Sequence, residues 1–82
     1  MKAWPDPTRR DELVQVSTLL WQQRHSKTAF KKLTQGLNEV DIAYLIDWNE
    51  FISLAAEFAS EHRYYQELLK NLRSKLSETS QS

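Results

Sequence analysis

Two histidines, His25 and His62, and a pair of glutamates near the second of them, Glu57 and Glu61, are the first residues to test for chemistry in this 82-residue chain. Glu57 and Glu61 lie four residues apart and share one face of a helix. A helical zinc pair needs a second histidine at helix spacing, and neither histidine has one. A carboxylate-bridged bundle site needs an inward Glu-x-x-His, which is also missing. The group reads as a solvated acidic edge. Serines are plentiful, but none sits in a Gly-x-Ser-x-Gly elbow. A single glycine cannot form a phosphate-cradling loop. There is no cysteine, which removes disulfides, zinc–thiolate sites and thiol catalysis together. The expectation is a chain that is not an enzyme, with no catalytic residue, no metal and no cofactor.

One cluster could bind phosphate. Arg24, His25, Lys27, Lys31 and Lys32 gather around Ser26, a natural helix cap. A nucleic-acid contact through Arg24, Lys27, Lys31 and Lys32 is therefore the second reading of the chain. Against it stands the charge balance, with 11 lysines and arginines against 11 aspartates and glutamates. A net charge of zero exerts no general pull on nucleic acid or anionic membrane. Tyr64 and Tyr65 could stack on bases, but paired tyrosines at a helix start more often pack with a wet hydroxyl.

The elements that position these residues read as helices. Glycine occurs only at Gly36 and proline only at Pro5 and Pro7, too little punctuation for a strand-rich domain. Residues 1–6 form an irregular arm, because the prolines bias Trp4 and Asp6 away from helix. Asp6–Pro7 or Thr8 opens a first helix that ends near Arg24–His25, with Leu13, Val16 and Leu20 on one face. Ser26 caps a short second helix lined by Ala29, Phe30 and Leu33, and Gly36 stops it. Residues 38–46 read either as a helix capped by Asn38 with Asp41, or as a strand through Val40, Ile42, Tyr44 and Ile46. A strand would be without a partner, which favours helix.

The strongest pattern is DWNEFISLAAEFAS, residues 47–60. Asp47 with Glu50 reads as a capping box. Trp48, Phe51, Ile52, Leu54, Ala55, Phe58 and Ala59 cover an arc of roughly 200°, wider than an ordinary core-facing stripe. Asn49, Glu50, Ser53, Glu57 and Ser60 take the other side. Beyond His62 the stripe turns by about a quarter revolution, and Tyr65, Leu69, Leu72 and Leu76 recur at the spacing of a two-helix seam. A break near Ser60, with Ser60 as cap, accounts for the shift. Of the tryptophans, Trp21 reads as core, while Trp4 and Trp48 stand at the edges of helical patterns.

The run KKLTQGLNEVDIAYLIDWNEFISLAAEFASEHRYYQELLKNLRSKL, Lys31 to Leu76, resembles the C-terminal end of SPINDLY-type O-linked N-acetylglucosamine transferases. The positions that carry the likeness are Leu33, Gly36, Ile42–Ala43, Phe51, Leu54–Ala55, Phe58–Ala59, Ser60–Glu61, Tyr64 or Tyr65, and Arg73. The family's sugar-nucleotide region, its tetratricopeptide repeats and its catalytic residues have no counterpart in the chain. The resemblance therefore implies a remnant or an appended helical module, with no transferase activity.

The whole reading is a small all-α bundle of three or four helices. Residues 7–77 form a single domain, followed by a disordered tail over 78–82. The leading function is a helical protein–protein interaction module that self-associates, as a homodimer for example, or docks on a larger protein. Its contact residues are expected to be Trp48, Phe51, Tyr65, Leu69 and Leu72. The longest apolar run, Ile42–Ile46, is far short of a membrane span. No apolar stretch of signal-peptide length follows Lys2, and the expected location is the cytoplasm.

Overall fold

The computed structural model describes residues 4–80. It contains four helices: α1 (Pro7–Gln22), α2 (Ala29–Thr34), α3 (Glu39–Leu54) and α4 (Ala59–Ser80). No strand occurs among the described residues, so the all-α expectation holds.

Each helix begins for a local reason. Asp6 precedes α1 in extended conformation, and its carboxylate accepts the Arg9 backbone N–H at 2.9 Å. Pro7 then supplies a first position that has no N–H to satisfy. The start of α3 is a reciprocal cap. The Asp41 N–H donates to Asn38 Oδ1 at 2.8 Å, and the Asn38 N–H donates to Asp41 Oδ2 at 3.3 Å. That cap decides residues 38–46 in favour of helix. The short α2 starts three residues beyond Ser26, next to Thr28, whose side chain makes no capping bond. Ser26 is thus not its cap. Gly36 follows α2 with φ +82°, the left-handed conformation that glycine adopts without a Cβ penalty.

Two expected boundaries move. α3 runs unbroken through Asp47 and Glu50, so that pair lies in mid-helix and is not a capping box. The break falls at residues 55–58, slightly before Ser60. The N–H groups of Glu61 and His62 both donate to the Phe58 carbonyl, at 3.0 and 3.2 Å, so Phe58 and not Ser60 flanks α4. At the other end α4 continues through Ser80. Of the tail expected over 78–82, residues 78–80 are helical, and 81 and 82 lie outside the described residues.

The core joins α1, α3 and α4. Leu13 and Leu20 meet Ile42, Leu45 and Ile46 of α3 and Leu68, Leu69 and Leu72 of α4. Phe30, Leu33 and Leu37 pack against this cluster from α2 and the turn after it. α4 packs chiefly on α3. Inside the core lies one polar pair. The Ser17 hydroxyl donates to Asn49 Oδ1 at 3.0 Å, and Asn49 Nδ2 donates to the Leu45 carbonyl at 2.8 Å. Asn49 is fully buried, which corrects its expected place on the polar side of the helix.

The first turns of α1 and α3 are tied together by Arg9. Its guanidinium donates to both carboxylate oxygens of buried Asp41, at 3.1 and 2.7 Å, and to Glu12 at 2.7 Å. The bidentate geometry is the strong form of this contact. The hydrogen bonds from Arg9 hold the Asp41 carboxyl below its ordinary range, against the opposing pull of burial. The same bonds, to Asp41 first and Glu12 second, raise the Arg9 guanidinium.

Candidate interaction surface

The wide apolar arc of residues 48–59 divides in two. Trp48 and Ile52 turn inward and, with Val14, Thr18, Trp21 and Tyr65, line a shallow groove between α1, α3 and α4. Phe51, Leu54 and Phe58 turn outward and stay 68%, 85% and 63% exposed. These three are the largest uncovered apolar side chains among the described residues, and they sit together on the last turn of α3 and the connection to α4. Trp48 stacks on Phe51 with ring centroids 6.2 Å apart, which joins the groove to the outer patch. Arg73 borders the patch from α4, bonded to Glu50 at 2.6 Å.

Of the five expected contact residues, Phe51 is exposed, and Trp48 and Tyr65 are half-buried beside the groove. Leu69 and Leu72 are a correction, because they close the core of the single chain and offer nothing to a partner. The seam they belong to meets α3 instead of a second protein. Leu54 and Phe58 were not among the expected contacts, although their spacing from Phe51 marks them as its companions.

Tyr64 and Tyr65 are packing residues. Both rings lie against Trp21, with centroids 4.9 and 6.2 Å away. Burial pushes the Tyr64 hydroxyl up to about 12. Burial, and after it the nearby Glu61, also raises Tyr65. Both phenols stay neutral at physiological pH. Trp4 packs edge-on against Tyr44, pinning the N-terminal arm to α3.

The basic cluster is exposed throughout, but its members do different things. The Arg24 guanidinium lies 4.1 Å above the Trp21 ring and donates to the Trp21 carbonyl at 2.9 Å. Lys31 and Lys32 share a shallow depression with Thr28, Gln35, Gly36 and Lys75, the last contributed by α4. Lys27 lies in the neighbouring depression, where Glu78 is also present. Lys75 was missed in the sequence, since 43 positions separate it from Lys32.

His25 and His62 are exposed, and no group of three or more metal-ligating side chains occurs among the described residues. No helix among them is long and apolar enough to cross a membrane. No family model matches the chain, no curated protein or solved structure matches it, and nothing links it to SPINDLY-type transferases.

Proposed function

We propose that the chain is a non-enzymatic helical protein–protein interaction module, which self-associates or docks on a larger protein. The observation that carries this reading is the outward trio Phe51, Leu54 and Phe58. A helix end and the connection after it are ordinarily polar, and three large apolar side chains left there cost solubility with no return to the core. Trp48, half-buried beneath Phe51, gives the patch an aromatic anchor of the kind that dominates interface energies. The cytoplasm is the proposed setting, a compartment that a chain free of cysteine suits.

Replacing Phe51 and Leu54 together by serine is the test. Unfolding stability of the single chain is expected to change by no more than about 0.5 kcal/mol, since neither side chain is in the core. Association, read by light scattering and by co-purification with a bound protein, is expected to disappear. If the double variant associates as the parent does, the surface is not an interface.

A second reading draws on Lys31, Lys32 and Lys75, which surround one depression with no carboxylate in its lining. That arrangement suits a phosphate of a nucleic-acid backbone. It predicts salt-sensitive binding to an oligonucleotide, weakened when Lys31→Glu and Lys32→Glu are combined, with a salt slope lower by about 2. No binding at low salt removes this reading.

A further inference from the structure

We infer that the cleft between α2 and α4 binds a small phosphate monoester with an apolar body, its phosphate on the lysines and its body on the buried floor beyond them. The inference rests on the reading of Lys31, Lys32 and Lys75 as a phosphate site, and it names the rest of the ligand.

The cleft follows from unequal helix lengths. α4 has 22 residues, about 33 Å, whereas α2 has 6, about 9 Å. One stripe of α4, with Leu69 and Leu72, is spent on the core. A second stripe, Tyr64, Leu68, Asn71, Lys75 and Glu78, recurs at spacings of four and three beside it and looks toward α2. The short α2 cannot cover that length, and neighbouring depressions lie between the two helices. Lys27, Phe30 and Asn71 border both the first and the second of them, and Lys31 and Lys75 border both the second and the third. They run together as one cleft.

The two ends of the cleft differ in chemistry. One end is a cavity of about 260 Å³ floored by Leu20, Ala29 and Leu68, all buried. The other end carries Lys27, Lys31, Lys32 and Lys75. None of these four ammonium groups makes an ion pair with a described residue, although Glu78 stands in the same stretch. No aspartate or glutamate occurs between Glu12 and Glu39, so the zero net charge of the chain conceals a local excess of cation around α2. Unpaired lysines suit a dianion, and the buried floor suits an apolar body. Glu67, which borders the apolar end, repels an anion from that side and sets the direction in which the ligand lies.

A third observation falls at the apolar end. The Tyr64 hydroxyl is the one buried side-chain polar atom without a hydrogen-bond partner among the described residues. Such a group is costly to leave unpaired, and an acceptor oxygen on the ligand satisfies it. Arg24 lines the same cavity and is exposed, so its side chain can swing aside to admit that oxygen. The positions of Tyr64 and Lys75 also set a length. They are separated by about 16 Å of helix. A hydrogen bond of about 3 Å at each end leaves about 10 Å for the ligand. The class is therefore a phosphate monoester of a flat or slender apolar alcohol, with an acceptor oxygen at the end remote from the phosphate.

4-Methylumbelliferyl phosphate has these parts, with a lactone carbonyl opposite the phosphate, and serves as the probe. It is titrated into the isotope-labelled full chain and followed by amide NMR shifts. Shifts are expected at residues 27–36 and 64–78, with half-saturation below about 1 mM. Inorganic phosphate and 4-methylumbelliferone are each expected to bind at least about tenfold more weakly, since each lacks one half of the ligand. Lys75→Glu should weaken the probe about tenfold. Tyr64→Phe should weaken it about fivefold and leave inorganic phosphate unaffected. The same substitution should not lower the thermal midpoint, because the hydroxyl it removes bonds to nothing in the chain.

A probe that binds no more tightly than inorganic phosphate, that shifts amides outside the cleft, or that ignores Tyr64→Phe overturns the inference. The first of these outcomes leaves the lysines standing as a phosphate site. Absence of binding by both inorganic phosphate and an oligonucleotide at low salt removes that reading as well.

Discussion

Replacing Leu72 by alanine is expected to lower stability by about 3 kcal/mol. Leu72 has no exposed surface and sits where α4 meets α3 and α1. Truncation removes the transfer energy of the deleted carbons and leaves a cavity among neighbours that cannot follow it inward. A chain of this length has roughly 4–12 kcal/mol in total. The loss should therefore lower the thermal midpoint by about 15 °C. Chemical denaturation followed by circular dichroism checks it, with Phe51→Ala as the contrast. Phe51 should give less than about 0.5 kcal/mol in the same experiment, because its ring faces water. If the two substitutions cost the single chain the same, the division between core seam and outer patch is wrong.

The second large effect is at Asp41. Its carboxylate accepts the bidentate bond from Arg9 and caps α3 at the Asn38 N–H, and it is almost wholly buried. Asp41→Ala removes both interactions at once. The Arg9 side chain is partly exposed and regains water, which moderates the loss. About 2–3 kcal/mol is expected, for the missing cap plus the missing charge-assisted pair. The dependence on pH follows from the direction of the shift. The folded state holds the carboxyl below its ordinary value. The unfolded state therefore takes up a proton first, near pH 4. The contribution of Asp41 is complete above that pH and falls away as acid carries the solution through the lower, folded value. A stability profile from pH 7 to pH 2 should show this decline in the parent chain, and a shallower one in Asp41→Ala. Parallel profiles for the two chains would remove the carboxylate from the account.

How much of this could be read from the residues depended on whether the governing interaction was local. The cap of α3 was legible because Asn38 and Asp41 lie three apart and satisfy each other. Asp47 and Glu50 have the same spacing and similar chemistry, yet they lie within a helix that tertiary packing carries through them. Asn49 was misplaced because a periodicity argument sends every amide outward. Its partner Ser17 is on another helix, and only the fold brings the two together. The outer patch was half legible. The residues between Trp48 and Ala59 carry too much apolar surface for one stripe, and the phase changes near residue 60. A stripe does not declare whether it will meet its own chain or another. Leu69 and Leu72 met their own, and Phe51 did not.

The buried hydroxyl and amide of Ser17 and Asn49 fix something that leucines alone leave open. Aliphatic side chains pack acceptably at several azimuths, whereas a buried donor and acceptor 3.0 Å apart tolerate only one. Turning α1 by a single residue would break the bond and leave the buried Asn49 Oδ1 without its donor. The pair thus works as an index mark between the first and third helices, so that α4 finds a cradle already set at one rotation.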